Sequence, residues 1–243
     1  MLSKNDDKIE VMLFASPHNL KALDHIAIQV GDCLVRSSPD VRNFGVIFDT
    51  KMNMEKQVTS VCKSAYAQLR NIGHIWRYLT NRAARSLATG LVISRLDYCN
   101  SFLGWLPKVL TKWLQRVQNT AARIVTGTPR HEHISPVLKQ LHWLPVGKRI
   151  QFKTLVLAFR CLHGQAPRYL SDMINVDKPQ RLLRSENSFT LVIPGARTQD
   201  DERRFSVFTA KLWNQLPEGL QKAPSLNIFK KMLKTHLFNK CLL

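Results

Sequence analysis

Four side chains in the middle of the chain have the types a zinc ion takes: His131 and His133 around Glu132, and Cys161 and His163 around Leu162. Imidazole nitrogens and a thiolate can close a tetrahedral site. Neither spacing is finger-like, however, and two histidines around one acid in a basic loop are ordinary loop residues. Asp6-Asp7 is the acidic alternative, since carboxylates hold divalent cations through oxygen, but adjacent acids near a terminus are solvated by default. Cys99, after Tyr98, has no adjacent histidine to activate it and reads as a small core residue. The five cysteines, Cys33, Cys62, Cys99, Cys161 and Cys241, are odd in number and have no close pair, which points to reduced thiols in an intracellular chain, nuclear or cytoplasmic. No metal and no cofactor is expected.

Charge is the chemistry that remains. Lys108, Lys112, Arg116, Arg123, Arg130, Lys139, Lys148, Arg149, Lys153 and Arg160 follow one another with Glu132 as the only acid between Lys108 and Arg160. Over the whole chain 36 Lys and Arg face 17 Asp and Glu, a net charge of +19, which attracts phosphate backbones. Trp105 and Trp143 lie in turns beside this series, where an indole can stack on an unpaired base or, alternatively, anchor a core. Trp113 and Trp213 sit in helical stripes and read as core. The expected nucleic-acid-binding set is therefore Lys108, Lys112, Arg116, Arg123, Arg130, Lys148, Arg149, Lys153, Trp105 and Trp143. Expected partners are RNA, an RNA–DNA hybrid or DNA. A membrane is not expected: the basic residues are spread along the chain, the apolar runs Val11–Ala15 and Leu155–Phe159 are far too short to span one, and the N-terminus lacks the apolar core of a signal peptide.

Helices must position these side chains. Pro107 suits a helix start and Gly127 a helix end, and between them Val109, Leu110, Trp113, Leu114, Val117, Ala121, Ile124 and Val125 recur at helical spacing. A long helix is expected over about Asn53–Trp76, with Met54, Val58, Val61, Ala65, Leu69, Ile72 and Trp76 as one buried stripe. Thr80 should cap another over Asn81–Leu96, with Leu87, Leu91 and Val92 inward. Pro145 opens a helix that Gly164 closes, and two more are expected over about Arg203–Gln215 and Ser225–Phe238. The latter puts Phe229, Leu233 and Leu237 inside and leaves Lys230, Lys231, Lys234 and His236 outside. Before residue 50 the pattern is β: Ile9–Phe14, a hairpin around Gly31-Asp32, and a strand over Val41–Phe48, with a further short strand at Phe189–Ile193. The expected fold is mainly α: a short N-terminal β-hairpin or strand segment (1–50), a three-helix unit (51–130), and a C-terminal basic helical region (131–243).

Several motifs in one order carry a resemblance. Arg95-Leu96-Asp97-Tyr98-Cys99-Asn100, Leu114-Gln115-Arg116-Val117-Gln118-Asn119 with Ala121-Ala122-Arg123, His133-Ile134-Ser135-Pro136-Val137-Leu138, Leu141-His142-Trp143-Leu144-Pro145-Val146 and Leu212-Trp213-Asn214-Gln215-Leu216-Pro217 resemble the region that follows the catalytic palm in reverse transcriptases of non-LTR (LINE-type, jockey-like) retrotransposons. The resemblance implies the end of a palm, a thumb that grips duplex behind the active site, and a helical C-terminal region. It places the metal-binding aspartates of that family upstream of Lys8, and likewise its endonuclease domain, so the expectation is a truncated fragment that binds RNA or RNA–DNA hybrid through backbone phosphates and is not an enzyme. By the same resemblance Lys8 matches a palm lysine that approaches the leaving pyrophosphate, a role with no content without metal and nucleotide. The alternatives are a protein-interaction fragment that docks through exposed palm strands on an intact retrotransposon polymerase, and an open reading frame without selected function.

Overall fold

The computed structural model describes residues 9–14, 19, 27–31, 33–104, 106–177 and 190–241. Its fold is mainly α, with two short antiparallel strand pairs ahead of the helices, as the sequence pattern requires. Contacts group the chain into two units, Met1–Lys63 and Ser64–Leu243, with the division falling inside helix α1 (Glu55–Ile75).

In the first unit, β1 (Ala27–Val30) pairs with β2 (Cys33–Arg36) in the register Val30 to Cys33, with Gly31 at φ 61°. The hairpin expected around Gly31 is there. The single strand expected over Val41–Phe48 is instead a second hairpin, β3 (Asp40–Asn43) against β4 (Val46–Asp49). Phe44 and Gly45 have φ of 47° and 79°, and two consecutive left-handed residues make the tight turn whose twist matches flanking strands. Glycine takes that conformation freely; Phe44 does so with its ring 87% exposed. The strand expected over Ile9–Phe14 is reduced to one bridge between Val11 and Ser37.

Asp49 joins the second hairpin to α1. The residue is only 8% exposed, and its carboxylate accepts the backbone N–H of Lys51 and Asn53 at 3.1 Å and of Met54 at 2.8 Å. Gln57, also buried, accepts the Ile47 N–H at 2.9 Å. These acceptors satisfy donors that a strand-to-helix junction leaves unpaired. Along α1, Val58, Ala65, Leu69 and Ile72 are buried as the periodicity predicts.

The second unit is helical. Thr80 caps α2 (Asn81–Ala88), its hydroxyl accepting the Ala83 N–H at 3.2 Å. The helix then widens into a π-turn over Thr89–Ile93 before resuming at Ser94–Asp97. The wider turn changes the helical phase, so Val92, Ile93 and Leu96 face inward while Leu91 is turned out, 38% exposed. Leu91 was expected inward, because a uniform 3.6-residue period carries no π-turn. Gly104 lies so close to Phe208 that a Cβ would sit 2.4 Å from its ring. Next, α3 (Lys108–Thr126) ends at Gly127, which has φ of 70°. Leu110, Leu114, Val117, Ala121 and Val125 form its buried face; Val109, one residue out of phase with them, is exposed.

Helices α4 (Ile134–Gln140), α5 (Val146–Leu162), α6 (Phe205–Asn214) and α7 (Leu226–Asn239) follow. Ser225 caps α7. In place of a strand over Phe189–Ile193 there is one antiparallel bridge, Val176 to Leu191, with Phe189 outside the described residues. The core is centred on Trp213 of α6, whose ring lies 5.9 Å from Phe229 of α7; Phe229 in turn stacks on Phe159 of α5 at 4.5 Å. All three are no more than 1% exposed.

Polar side chains clasp these helices together. Gln118 is fully buried and donates to the Leu144 carbonyl at 2.8 Å, while Gln115 accepts the Val146 N–H at 2.8 Å. Asn214 bonds both the N–H and the carbonyl of Leu191, at 2.8 and 2.9 Å. Each of these amides serves backbone groups that the irregular connections leave without a helical partner.

Candidate nucleic-acid interface

Spacing alone sets the basic stripe of α3. Lys108, Lys112 and Arg116 are four residues apart and share one face of the helix, and all three are exposed. Thr120 and Arg123 continue the line, so Lys108 to Arg123 covers about 22 Å at the helical rise of 1.5 Å per residue. The stripe runs into a groove of about 840 Å³ lined by Arg116, Asn119, Thr120 and Arg123 of α3, by Arg130 just beyond it, and by Tyr66 and Trp76 from the α1 side. No acidic residue among the described ones lines this groove.

Arg123 fixes the groove's end. Its Nη2 donates to the carbonyls of Arg130 at 3.1 Å and Glu132 at 2.8 Å, which folds the loop after Gly127 back beside the helix and brings Arg130 to the rim. Those partners are carbonyl dipoles, and no acid among the described residues pairs with that guanidinium. Its Nη1 is buried with no hydrogen-bond partner.

Trp76 departs from its expected place. The buried stripe of α1 stops at Ile72, because the helix ends at Ile75 and continues as a 3₁₀ turn, Trp76–Tyr78. Tighter winding rotates Trp76 off the stripe. It is 38% exposed, and a Cβ on Gly127 would lie 3.4 Å from its ring. Tyr66, 40% exposed, is the other ring of the groove. The sequence reading missed both as site residues: Tyr66 carries no distinguishing signal, and Trp76 completes a stripe that is otherwise core.

Trp143 is the converse and is corrected here. At 5% exposure it is packed in the protein interior and has no free ring face to offer a base, so it is a core anchor. Trp105 lies outside the described residues. Trp113 is half-buried and Trp213 fully buried.

The remaining basic residues fall elsewhere. Arg149 points its guanidinium at Asp97, with Nε 2.9 Å from Oδ1 and Nη2 on Oδ2, in a two-pronged pair that is 19% and 14% exposed. Lys153 lies 3.5 Å from the same carboxylate. Asp97 thus supplies an acid from outside the run Lys108–Arg160, which looked nearly free of them. We expect Arg149→Ala to lower stability by about 1–3 kcal/mol, less than the loss from a fully buried pair because water still reaches both groups. Urea denaturation would show the lower midpoint, and the salt dependence of nucleic-acid binding should not change.

Lys148 lies near His236 of α7, whose expected outward face is partly enclosed. Burial, then the Lys240 and Lys148 charges, hold the His236 imidazole below its ordinary value, and its Nε2 is buried without a partner. Burial lowers Lys234 in the same way, with the Arg149 and Arg85 charges acting in the same direction. Arg85 donates to the Leu141 carbonyl at 2.8 Å and so serves the fold as well.

His131, Glu132 and His133 are exposed in the loop after Arg130, whereas His163 stacks on Phe159 at 3.9 Å and Cys161 is buried. Among the described residues no three His, Cys, Asp or Glu side chains converge on a point where a metal could sit. No helix among the described residues is long and apolar enough to cross a membrane. Compared with models of known protein families, with curated proteins and with solved structures, the chain matches none.

Proposed function

We propose that this chain corresponds to the thumb and C-terminal helical region of a non-LTR retrotransposon reverse transcriptase, and that it binds RNA or an RNA–DNA hybrid through backbone phosphates without catalysing a reaction itself. The observation that carries this reading is the groove beside α3, where three arginines and two exposed aromatic rings meet with no carboxylate among the described lining residues. Arginine forks suit phosphate oxygens, and a ring beside them offers a stacking surface to any base, so the grip is insensitive to sequence.

Fluorescence anisotropy with single-stranded RNA, RNA–DNA hybrid and duplex DNA over a salt series tests it. The expected result is a steep fall of log affinity with log salt and a preference for RNA or hybrid. In the same preparation, primer extension with template, nucleotides and magnesium should give nothing above background. Incorporation by the pure protein would sink the binding-only reading.

A second reading has its own observation. Ile28 and Leu34 are 41% and 64% exposed on one sheet, and Phe44 is 87% exposed in the turn of the other, each sheet having two strands among the described residues. Such edges can accept another strand, which favours docking on an intact polymerase. Weak binding to all three nucleic acids would move the assignment there.

A further inference from the structure

A second cleft, of about 470 Å³, shares no lining residue with the groove and plays no part in the function proposed above. It opens between the 3₁₀ turn Asn100–Leu103, helix α5 and helix α7. One wall is apolar, made by Phe152, Val156 and Leu157, all half-buried. Around it stand Lys153, Arg160 and Lys230. Arg160 and Lys230 have no ion-pair partner among the described residues, and the single charge of Asp97 is already divided between Arg149 and Lys153. The cleft is therefore cationic overall.

Asn100 gives the independent sign of a ligand. It lines the cleft, is 4% exposed, and its side-chain Nδ2 is buried with no hydrogen-bond partner. Buried amide donors are almost always paired, because leaving one unpaired forfeits its hydration for nothing. A rotation of the side chain would present that donor to an acceptor in the cleft. The volume falls in the range of small-molecule sites, which join an apolar wall to a few fixed polar groups. Three cations call for more than one negative charge, and the apolar wall of Phe152, Val156 and Leu157 suits an aromatic body.

We propose that this cleft binds a phosphate monoester on a planar body, of the nucleoside 5′-phosphate class. The phosphate sits among Arg160, Lys230 and Lys153, the body lies against Phe152, Val156 and Leu157, and an acceptor on the ligand takes the Asn100 hydrogen. Such a group comes either from a free nucleotide or from the 5′ end of a strand.

Cys99 also lines the cleft, half-buried, and supplies a local reporter. Calorimetry on the full chain with adenosine 5′-monophosphate, adenosine and inorganic phosphate should show the monophosphate binding at least tenfold more tightly than either part. The monophosphate should also slow alkylation of Cys99 several-fold, read by peptide mass spectrometry, while Cys33 reacts at an unchanged rate. The double variant Arg160→Gln, Lys230→Gln alters side chains outside the core; it should lose about tenfold or more in monophosphate affinity and keep its RNA affinity in the groove. Asn100→Leu should weaken the monophosphate as well, but the double variant decides the matter if that buried change prevents folding. A 5′-phosphorylated trinucleotide that binds more tightly than the monophosphate assigns the strand end, and one that binds more weakly assigns the free nucleotide. The proposal is overturned by adenosine binding as tightly as its monophosphate, by an unchanged affinity in the double variant, or by unchanged Cys99 alkylation at saturating monophosphate.

Discussion

Trp213→Ala is expected to remove about 3–5 kcal/mol of stability. The indole is completely buried, and its loss empties the centre of the contact among α5, α6 and α7. Phe229 and Phe159 stack beyond it, and Leu155, Leu191, Leu233 and Leu237 complete the same cluster. Those side chains belong to different elements, each held by its own hydrogen bonds, so the space cannot close by moving one of them. The backbone there is also engaged: the Trp213 carbonyl accepts from the Gln221 side chain at 2.9 Å and from the Leu216 N–H at 3.0 Å. Against a typical domain stability of roughly 5–15 kcal/mol, the variant should be marginally folded at 37 °C. The informative comparison is Trp76→Ala. That ring is over a third exposed and lies on the groove, so its loss should change stability by no more than about 0.5 kcal/mol. Stacking of a base on it would instead make the variant weaker in binding by about 1–3 kcal/mol. Equal urea midpoints for the two variants would mean that the core is not organised around Trp213.

The helices were legible because their boundaries are written in residues with few alternatives. Thr80 and Ser225 accept the N–H groups that caps must accept, Gly127 takes the left-handed conformation at the end of α3, and Phe229, Leu233 and Leu237 repeat at helical spacing and are buried. What the pattern did not contain was any departure from a uniform period. The π-turn at Thr89–Ile93 turns Leu91 out and brings Ile93 in beside Val92, and the 3₁₀ turn after Ile75 carries Trp76 out of the core; a uniform 3.6-residue period contains neither. The Phe44-Gly45 turn was hidden for another reason: a phenylalanine with positive φ inside an apolar run reads as strand.

The candidate site was partly legible in the same sense. Lys108, Lys112, Arg116, Arg123 and Arg130 follow from spacing on one helix and its succeeding loop, which is local information. Arg149 and Lys153 needed knowledge of a partner over fifty residues away, since Asp97 meets them only through the packing of the Ser94–Asp97 turn on α5. The motifs behind the reverse-transcriptase resemblance show a related division. Gln115, Gln118, Asn214 and Asp97 are spent on joining elements, while Arg116, Asn119 and Arg123 in the same motifs line the groove. A single motif therefore combines clasp and grip, residue by residue, according to the helix face each side chain occupies.

Replacing Arg116 and Arg130 together with glutamine should reduce affinity for single-stranded RNA about 25-fold at 0.1 M salt. Each phosphate contact adds about 0.7 to the slope of log affinity against log salt on a single strand, so two contacts account for about 1.4. Relative to 1 M salt, each unit of slope is a factor of ten at 0.1 M, which gives the 25-fold figure. Both side chains are exposed and make no ion pair among the described residues, so the thermal midpoint should stay where it was. Glutamate at the same two positions adds repulsion and should weaken binding further. Arg123 is left intact in this test because its bonds to the Arg130 and Glu132 carbonyls shape the loop, and a loss on changing it would mix structure with contact. Phosphates carry no base identity, so the weakening should be the same for homopolymer and mixed-sequence RNA. Arg149→Ala supplies the opposite pattern, a lower urea midpoint with an unchanged slope. An R116Q/R130Q double variant with the slope and affinity of the parent protein would place the nucleic-acid footprint away from α3 and take the groove out of the proposed function.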